Sequence, residues 1–202
     1  MLHVLERCQQ ARSLDRVVVA TDHPRIVDVV VKAGGEAVLT TGDHRCGTDR
    51  VWEVASDTDY QHIVNIQGDQ PRLNPAAIDS CVEQLQQSGV DMVTVAGEEV
   101  AFDAPSSRVR VVTDPQNFAV SFSRENQPKI GRSFHHIGIY AFQRAAMKAF
   151  ANRDPSPGEL RESLEQLRVL EYGGKVKVVF VERAAPAVDR PEDLEAVRAW
   201  TS

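Results

Sequence analysis

Between Val17 and Ala96 short apolar runs alternate with stretches patterned as helices, and that alternation restricts the chain to one class of architecture. Val17 to Ala20 is an apolar run ending in Thr21-Asp22. Pro24 suits a first helical turn, where its missing N–H costs nothing, and Ile26, Val27, Val30 and Val31 follow as a helical stripe. Gly34-Gly35 ends that helix, Glu36 to Leu39 reads as a short strand, and Thr48 to Ala55 as a helix. The strand Ile63 to Ile66 comes next, then a helix from Pro75 through Leu85 closed by Ser88-Gly89, then a strand over Asp91 to Ala96. A βαβαβαβ order calls for an α/β, doubly wound, mostly parallel sheet with helices on both faces.

The second half changes character. Val109 to Val112, Phe118 to Phe122 and Ile137 to Phe142 read as strands whose connections are too short for crossover helices, which predicts an antiparallel arm at about 109–142 within a single domain, 1–202. A helix is expected from Arg144 to Phe150. Asp154-Pro155-Ser156-Pro157 starts another, carrying Leu160, Leu164, Leu167, Val169 and Leu170 up to Gly173-Gly174. Lys175 to Val181 is a strand, and Pro191 opens a last helix with Glu192 and Asp193 in its first turn.

The 202 residues fit one domain, and a 42% apolar fraction is enough for a core. A net charge of −6, with no Lys/Arg run longer than two, argues against double-stranded nucleic acid or an anionic membrane as partner. No apolar stretch is long enough to span a bilayer, and Met1-Leu2-His3-Val4 does not begin a signal peptide, so no membrane insertion is expected. Cys8, Cys46 and Cys81 are an odd, widely spaced set that fits a reducing compartment, and the chain reads as cytoplasmic. Cys46, in a polar loop, has no base with a visible reason to lie near it, so it is a poor candidate nucleophile.

The run Gln67-Gly68-Asp69-Gln70-Pro71 places a carboxylate where a buried strand ends, at the edge of the ligand crevice of an open α/β sheet. Asp69 can offer two oxygens to a hard cation there; an ordinary strand-to-turn junction is the plain alternative. Asp189 ends Ala187-Val188-Asp189 just before Pro191. It could share a Mg²⁺ ion with Asp69 beside phosphate oxygens, or merely cap the last helix. The segment from Asp43 to Arg50 is the densest polar cluster, with Gly47 permitting close approach and Thr48 placed to cap; a solvated loop entering a helix explains it as well. His135 and His136 are adjacent on a strand and so point to opposite faces, which excludes joint ligation of one metal. Arg124 is a candidate anion clamp, Arg110 reads as a surface residue, and Gln166 could meet a sugar hydroxyl.

No G-x-G-x-x-G or G-x-x-x-x-G-K-[ST] loop is present, and the sequence begins inside a helix bearing Leu2 and Leu5. Taken in order, the motifs His3-Val4-Leu5-Glu6-Arg7, Val19-Ala20-Thr21-Asp22, Asp43-His44 with Gly47-Thr48, and Gln67-Gly68-Asp69 resemble 3-deoxy-manno-octulosonate (Kdo) cytidylyltransferases. So do Phe122-Ser123-Arg124, His136-Ile137-Gly138-Ile139-Tyr140, Leu164-Glu165-Gln166-Leu167-Arg168 and Val188-Asp189 with Pro191-Glu192-Asp193. The resemblance spans the chain and implies a Rossmann-like nucleotide-diphospho-sugar transferase fold. It also implies a cytoplasmic homodimer that uses Mg²⁺, CTP and Kdo to form CMP-Kdo and pyrophosphate for lipopolysaccharide synthesis. By position, Asp69 and Asp189 would be catalytic and hold the metal. Asp43, Gly47, Thr48 and Gln67 would lie near the nucleotide, and Arg124, His136, Tyr140, Glu165 and Gln166 near the sugar. Strands of the second half and the Leu167 helix would help form the dimer.

The chain departs from the family pattern at its start, where a first strand and a basic Gly-rich loop are expected, and at Gln70, His135, Glu125 to Ile130 and Ala187. A missing first strand would fall between the Val17 and Ile63 strands, so the sheet is expected to re-pair, close up or borrow a strand. The alternative function is a catalytically impaired homologue serving as a dimeric scaffold or sugar-nucleotide-binding protein.

Overall fold

A computed structural model describes residues 1–87, 89–102, 108–124, 131–188 and 190–200. Along the first half run α1 (Leu2–Cys8), β1 (Val18–Thr21), α2 (Pro24–Lys32), β2 (Glu36–Leu39), α3 (Gly47–Ala55), β3 (His62–Ile66), α4 (Pro75–Leu85) and β4 (Met92–Glu99). The second half contributes β5 (Arg110–Thr113), β6 (Ala119–Ser123), β7 (Arg132–Gln143), α5 (Arg144–Ala151), α6 (Pro157–Glu162), α7 (Gln166–Glu171), β8 (Val176–Phe180) and α8 (Asp193–Ala199).

Local chemistry sets the helix starts. His23 and Asn74 cap α2 and α4, each accepting a backbone N–H two residues on, and Pro24 and Pro75 take the first helical position. Ser156 and Glu159 form a reciprocal capping box at α6.

The large sheet has the order β6-β5-β7-β4-β8, with β3 also paired to β7. β4 and β8 are parallel, and both β3 and β4 run against β7, so β3, β4 and β8 share one direction. The common direction agrees with the α/β winding expected from the sequence. The difference is β7, which the sequence placed wholly in an antiparallel arm. Its Ile139 to Gln143 end lies between β3 and β4 in the middle of the sheet, while its Arg132 to His135 end pairs with β5. A strand of 12 residues is long enough to serve both places.

Alternation along these strands builds a core on each face. Tyr140, Phe142, Met92 and Phe150 pack on the side of α3, α5 and α7, and Ile139, Ala141, Val93 and Val95 on the side of α1 and α4. Phe142, Ile78 and Val95 are essentially inaccessible, and full burial of each such side chain contributes about 1.5–3 kcal/mol. Cys8 and Cys81 belong to the α1/α4 side as small core residues.

β1 and β2 form a separate two-stranded parallel sheet. Among the described residues no strand pairing joins it to β3, so the sheet neither re-pairs nor closes up here. α1 spans the division, with Leu5 packed against Val19 and Val30 and Val4 and Cys8 packed on the α4 side. α3 contacts both β1 and β3.

Two further expectations change. The helix predicted across Leu160 to Leu170 breaks into α6 and α7 at Ser163, whose φ of 55° is left-handed. Leu167 of α7 is buried in the core, and Leu160, 70% exposed, is the apolar side chain that α6 presents outward. Arg110, expected at the surface, is buried, and its Nη1 donates to the Phe102 carbonyl at 2.9 Å.

Candidate functional site

A cleft of about 1080 Å³ opens where β3, β7, α3 and α7 converge, at or above the upper end of the about 300–1,000 Å³ typical of small-molecule sites. Gln67 and Asp69 enter it from the β3 tip, His136, Gly138 and Tyr140 from β7, Gly47 from the start of α3, Glu165 and Gln166 from α7, and Arg124 from the end of β6. These are most of the residues singled out from the sequence, gathered from positions more than a hundred residues apart. Two are placed elsewhere. Asp43 sits on an exposed irregular segment away from the cleft lining, and Thr48 is buried behind the wall. Asp189 lies outside the described residues.

Glu165 organises the wall. Its Oε1 accepts from Gln67 Nε2 at 3.1 Å and its Oε2 from the Thr48 backbone N–H at 2.9 Å. Thr48 was expected to cap α3 itself, but the Cys46 position before the helix has no side-chain cap, and an early N–H of α3 is satisfied by Glu165 from a distant segment. The Thr48 hydroxyl accepts from Asn65 Nδ2 at 2.9 Å, fixing α3 to β3. Burial raises the carboxyl pKa of Glu165 against the opposing bond from Thr48.

His136 is half-buried at the cleft, and desolvation, helped by the Arg124 charge, lowers its pKa to about 3. Its Nε2 lies 2.9 Å from Thr94 Oγ1, and the Thr94 hydroxyl donates to the Ile139 carbonyl at 2.9 Å. Because Thr94 has one hydroxyl proton and spends it on Ile139, His136 Nε2 must donate, leaving Nδ1 as the acceptor. His135, pointing to the other face, contacts Glu98 Oε1 through Nδ1 at 2.8 Å, and Glu98 Oε2 accepts from the Ala184 N–H. Tyr140 donates to Gln166 Oε1 at 3.4 Å, and burial, reinforced by Glu165 and Asp69, keeps the phenol protonated well above its usual range. Gln166 Nε2 is buried with no hydrogen-bond partner among the described residues, a donor available to a ligand.

Asp69 has a carboxylate on the cleft lining, and its backbone carbonyl accepts from the Val188 N–H at 2.9 Å. Hard carboxylate oxygens of this kind suit Mg²⁺. Among the described residues no group of three acidic, His or Cys side chains forms a metal cage, so a cation here would need oxygens from substrate or water as well.

Sequence reasoning did not single out Arg108 or Arg190, which line the cleft with Arg45 and Arg124. Isolated arginines next to polar loops give no periodic signal. It also missed the support under the wall. Arg168 is fully buried, with Nη1 3.0 Å from Asp49 Oδ1 and Nε 2.7 Å from Glu159 Oε2, and Nη2 also meets Glu159 Oε1. Burial opposes its charge, but the Glu159 and Asp49 carboxylates more than offset it, so Arg168 remains charged. The Cys46 thiol beside it is pushed up, chiefly by burial, which removes it as a nucleophile.

The sequence pattern of the cytidylyltransferase family matches residues 1–179. A 3-deoxy-manno-octulosonate cytidylyltransferase of Bradyrhizobium sp. is 40% identical, over 100% of this chain and 86% of its own length. One from Yersinia enterocolitica is 42% identical, over 98% of this chain and 86% of its own length. Among solved structures, CMP:2-keto-3-deoxy-manno-octonic acid synthetase complexed with CTP is similar with a TM-score of 0.89 at 33% identity, covering 98% of this chain and 85% of that one.

Proposed function

The chain belongs to the cytidylyltransferase family, and from that premise we infer that it transfers CMP from CTP to 3-deoxy-manno-octulosonate, giving CMP-Kdo and pyrophosphate. The observation that carries this reading is the convergence of Gln67, Asp69, His136, Tyr140, Glu165 and Gln166 on one cleft, in a chain that aligns with such enzymes nearly end to end.

In the reaction the anomeric hydroxyl oxygen of the sugar attacks the α-phosphorus of CTP. A P–O bond to that oxygen forms, the bond to the pyrophosphate oxygen breaks, and the hydroxyl proton passes to solvent. The chain's contribution is binding and orientation. Gln67 and the α3 start, locked together through Glu165, fix one wall. Neutral His136, the protonated Tyr140 phenol and the Gln166 amide give the other wall hydrogen-bonding groups without net charge. Such a wall discriminates hydroxyl-rich substrates from analogues lacking them, because an unpaired buried polar group is costly. Arg45, Arg108, Arg124 and Arg190 supply positive charge around the anionic substrates.

Asp69 and Asp189 are the proposed ligands of Mg²⁺, supported by the Asp69 carboxylate on the cleft and by the hydrogen bond between Asp69 and Val188, the residue that precedes Asp189. When bound, the ion would neutralise charge on the phosphate oxygens. A homodimer is proposed on the exposed apolar side chains Val120 of β6 and Leu160 of α6. A cytoplasmic location agrees with three free cysteines and with the absence, among the described residues, of a helix long and apolar enough to cross a membrane.

The test is pyrophosphate release from CTP and Kdo with Mg²⁺. Release that needs both substrates is expected; release no faster than the protein-free background would sink the assignment.

A further inference from the structure

The reverse side of β4 and β7 carries a second cavity, of about 560 Å³. Its floor is formed by Val95, Ile137 and Ile139, which belong to the α1/α4 side of the core, whereas Tyr140 of the CTP cleft belongs to the opposite side. Arg7 of α1, Arg72 and Arg183 surround that floor, and Glu182 is the one carboxylate among the described lining residues. Among the described residues none of these three guanidiniums makes an ion pair. Arg72 Nε donates to the Val197 carbonyl at 3.2 Å, and Arg183 lies over the Trp200 ring at 4.6 Å. Arginines gathered in one concavity repel each other unless an anion joins them, and each fork matches a phosphate oxygen pair.

We propose that this cavity binds a phosphate monoester with an apolar or aromatic body, at a site separate from the CTP cleft. Three guanidiniums against one carboxylate leave a surplus of two positive charges, which a phosphate monoester dianion neutralises. The apolar floor takes the body of the ester, as small-ligand sites of this volume do. Gln70, Ile137 and Ala185 line both cavities, which therefore adjoin, and Gln70 directly follows Asp69, so occupancy of the second cavity bears on the wall of the cleft.

Phenyl phosphate is the probe, titrated calorimetrically into the full chain with and without saturating CTP. One site per chain that persists under CTP is expected, with inorganic phosphate binding more weakly because it lacks the body. Arg7→Ala and Arg183→Ala should each weaken binding by about tenfold or more, the loss of one charge-assisted contact. Arg72→Gln, at an exposed position that does not threaten folding, should weaken it in the same direction. Asp69→Asn should leave it unchanged, which separates this site from the reading of the cleft. Complete displacement by CTP, wild-type affinity in all three arginine variants, or no binding heat would each overturn the proposal.

Discussion

Gln67 Nε2 donates to Glu165 Oε1 across 3.1 Å, tying the tip of β3 to the residue that opens α7, ninety-eight positions later. The same carboxylate holds the start of α3, so three segments of the cleft share one anchor. Burial raises the folded pKa of Glu165, so its contribution to stability is present at low pH and declines as pH climbs from the ordinary carboxylate range through the raised value. Glu165→Gln should flatten that part of the stability profile. Urea midpoints measured at a series of pH values read it, and parallel curves for the two proteins would contradict the assignment.

Arg168 is the largest fully buried side chain and answers two carboxylates, Asp49 and Glu159. Arg168→Met leaves Glu159 buried without its cation, while Asp49 keeps only its Arg45 contact at 2.9 Å, and a loss of about 3–5 kcal/mol in unfolding free energy is expected. Arg168→Lys should recover little, since one ammonium cannot reproduce the fork. Equilibrium denaturation distinguishes these outcomes from a neutral change.

His136 should titrate far below a free imidazole. With a folded pKa of about 3 against an ordinary 6.5, the unfolded chain takes up its proton first. Its contribution to stability is therefore full above pH 6.5 and lost as pH falls toward 3. His136→Gln should blunt this acid limb. NMR of the imidazole should show it neutral at pH 6, with Nε2 carrying the proton; a charged ring there would refute the hydrogen-bond reading through Thr94.

Asp69→Asn keeps the shape of the cleft and removes a charge. Turnover should fall by about 10²-fold or more, the scale of losing one preorganised electrostatic group. Thermal unfolding should move little. An unchanged rate across a Mg²⁺ titration would remove Asp69 from the metal site.

Much of this architecture was legible in the chain. Pro24, Asn74-Pro75 and Ser156-Pro157 mark helix starts because capping and proline geometry are local. The Gln67 to Pro71 junction marked the cleft because a polar turn after a buried strand has few other places to go. What stayed hidden was non-local. Nothing near Ile137 to Phe142 says that this strand lies between β3 and β4, since that depends on partners far away in sequence. Ser163 gives no glycine-like warning that α6 ends there. Arg110 and Arg168 look like surface cations until their partners, the Phe102 carbonyl and the Asp49 and Glu159 carboxylates, are brought to them by folding.

The small β1-β2 sheet meets the rest of the molecule through side chains of α1 and α3, with no ladder continuing across among the described residues. Interlocked side chains resist separation but tolerate sliding far better than a row of directional backbone bonds. The Val17 to Thr40 stretch should therefore breathe as a unit of its own, its amides exchanging with deuterium well ahead of those in β4 and β7. The cleft wall and this smaller layer would then answer heat and denaturant on separate schedules.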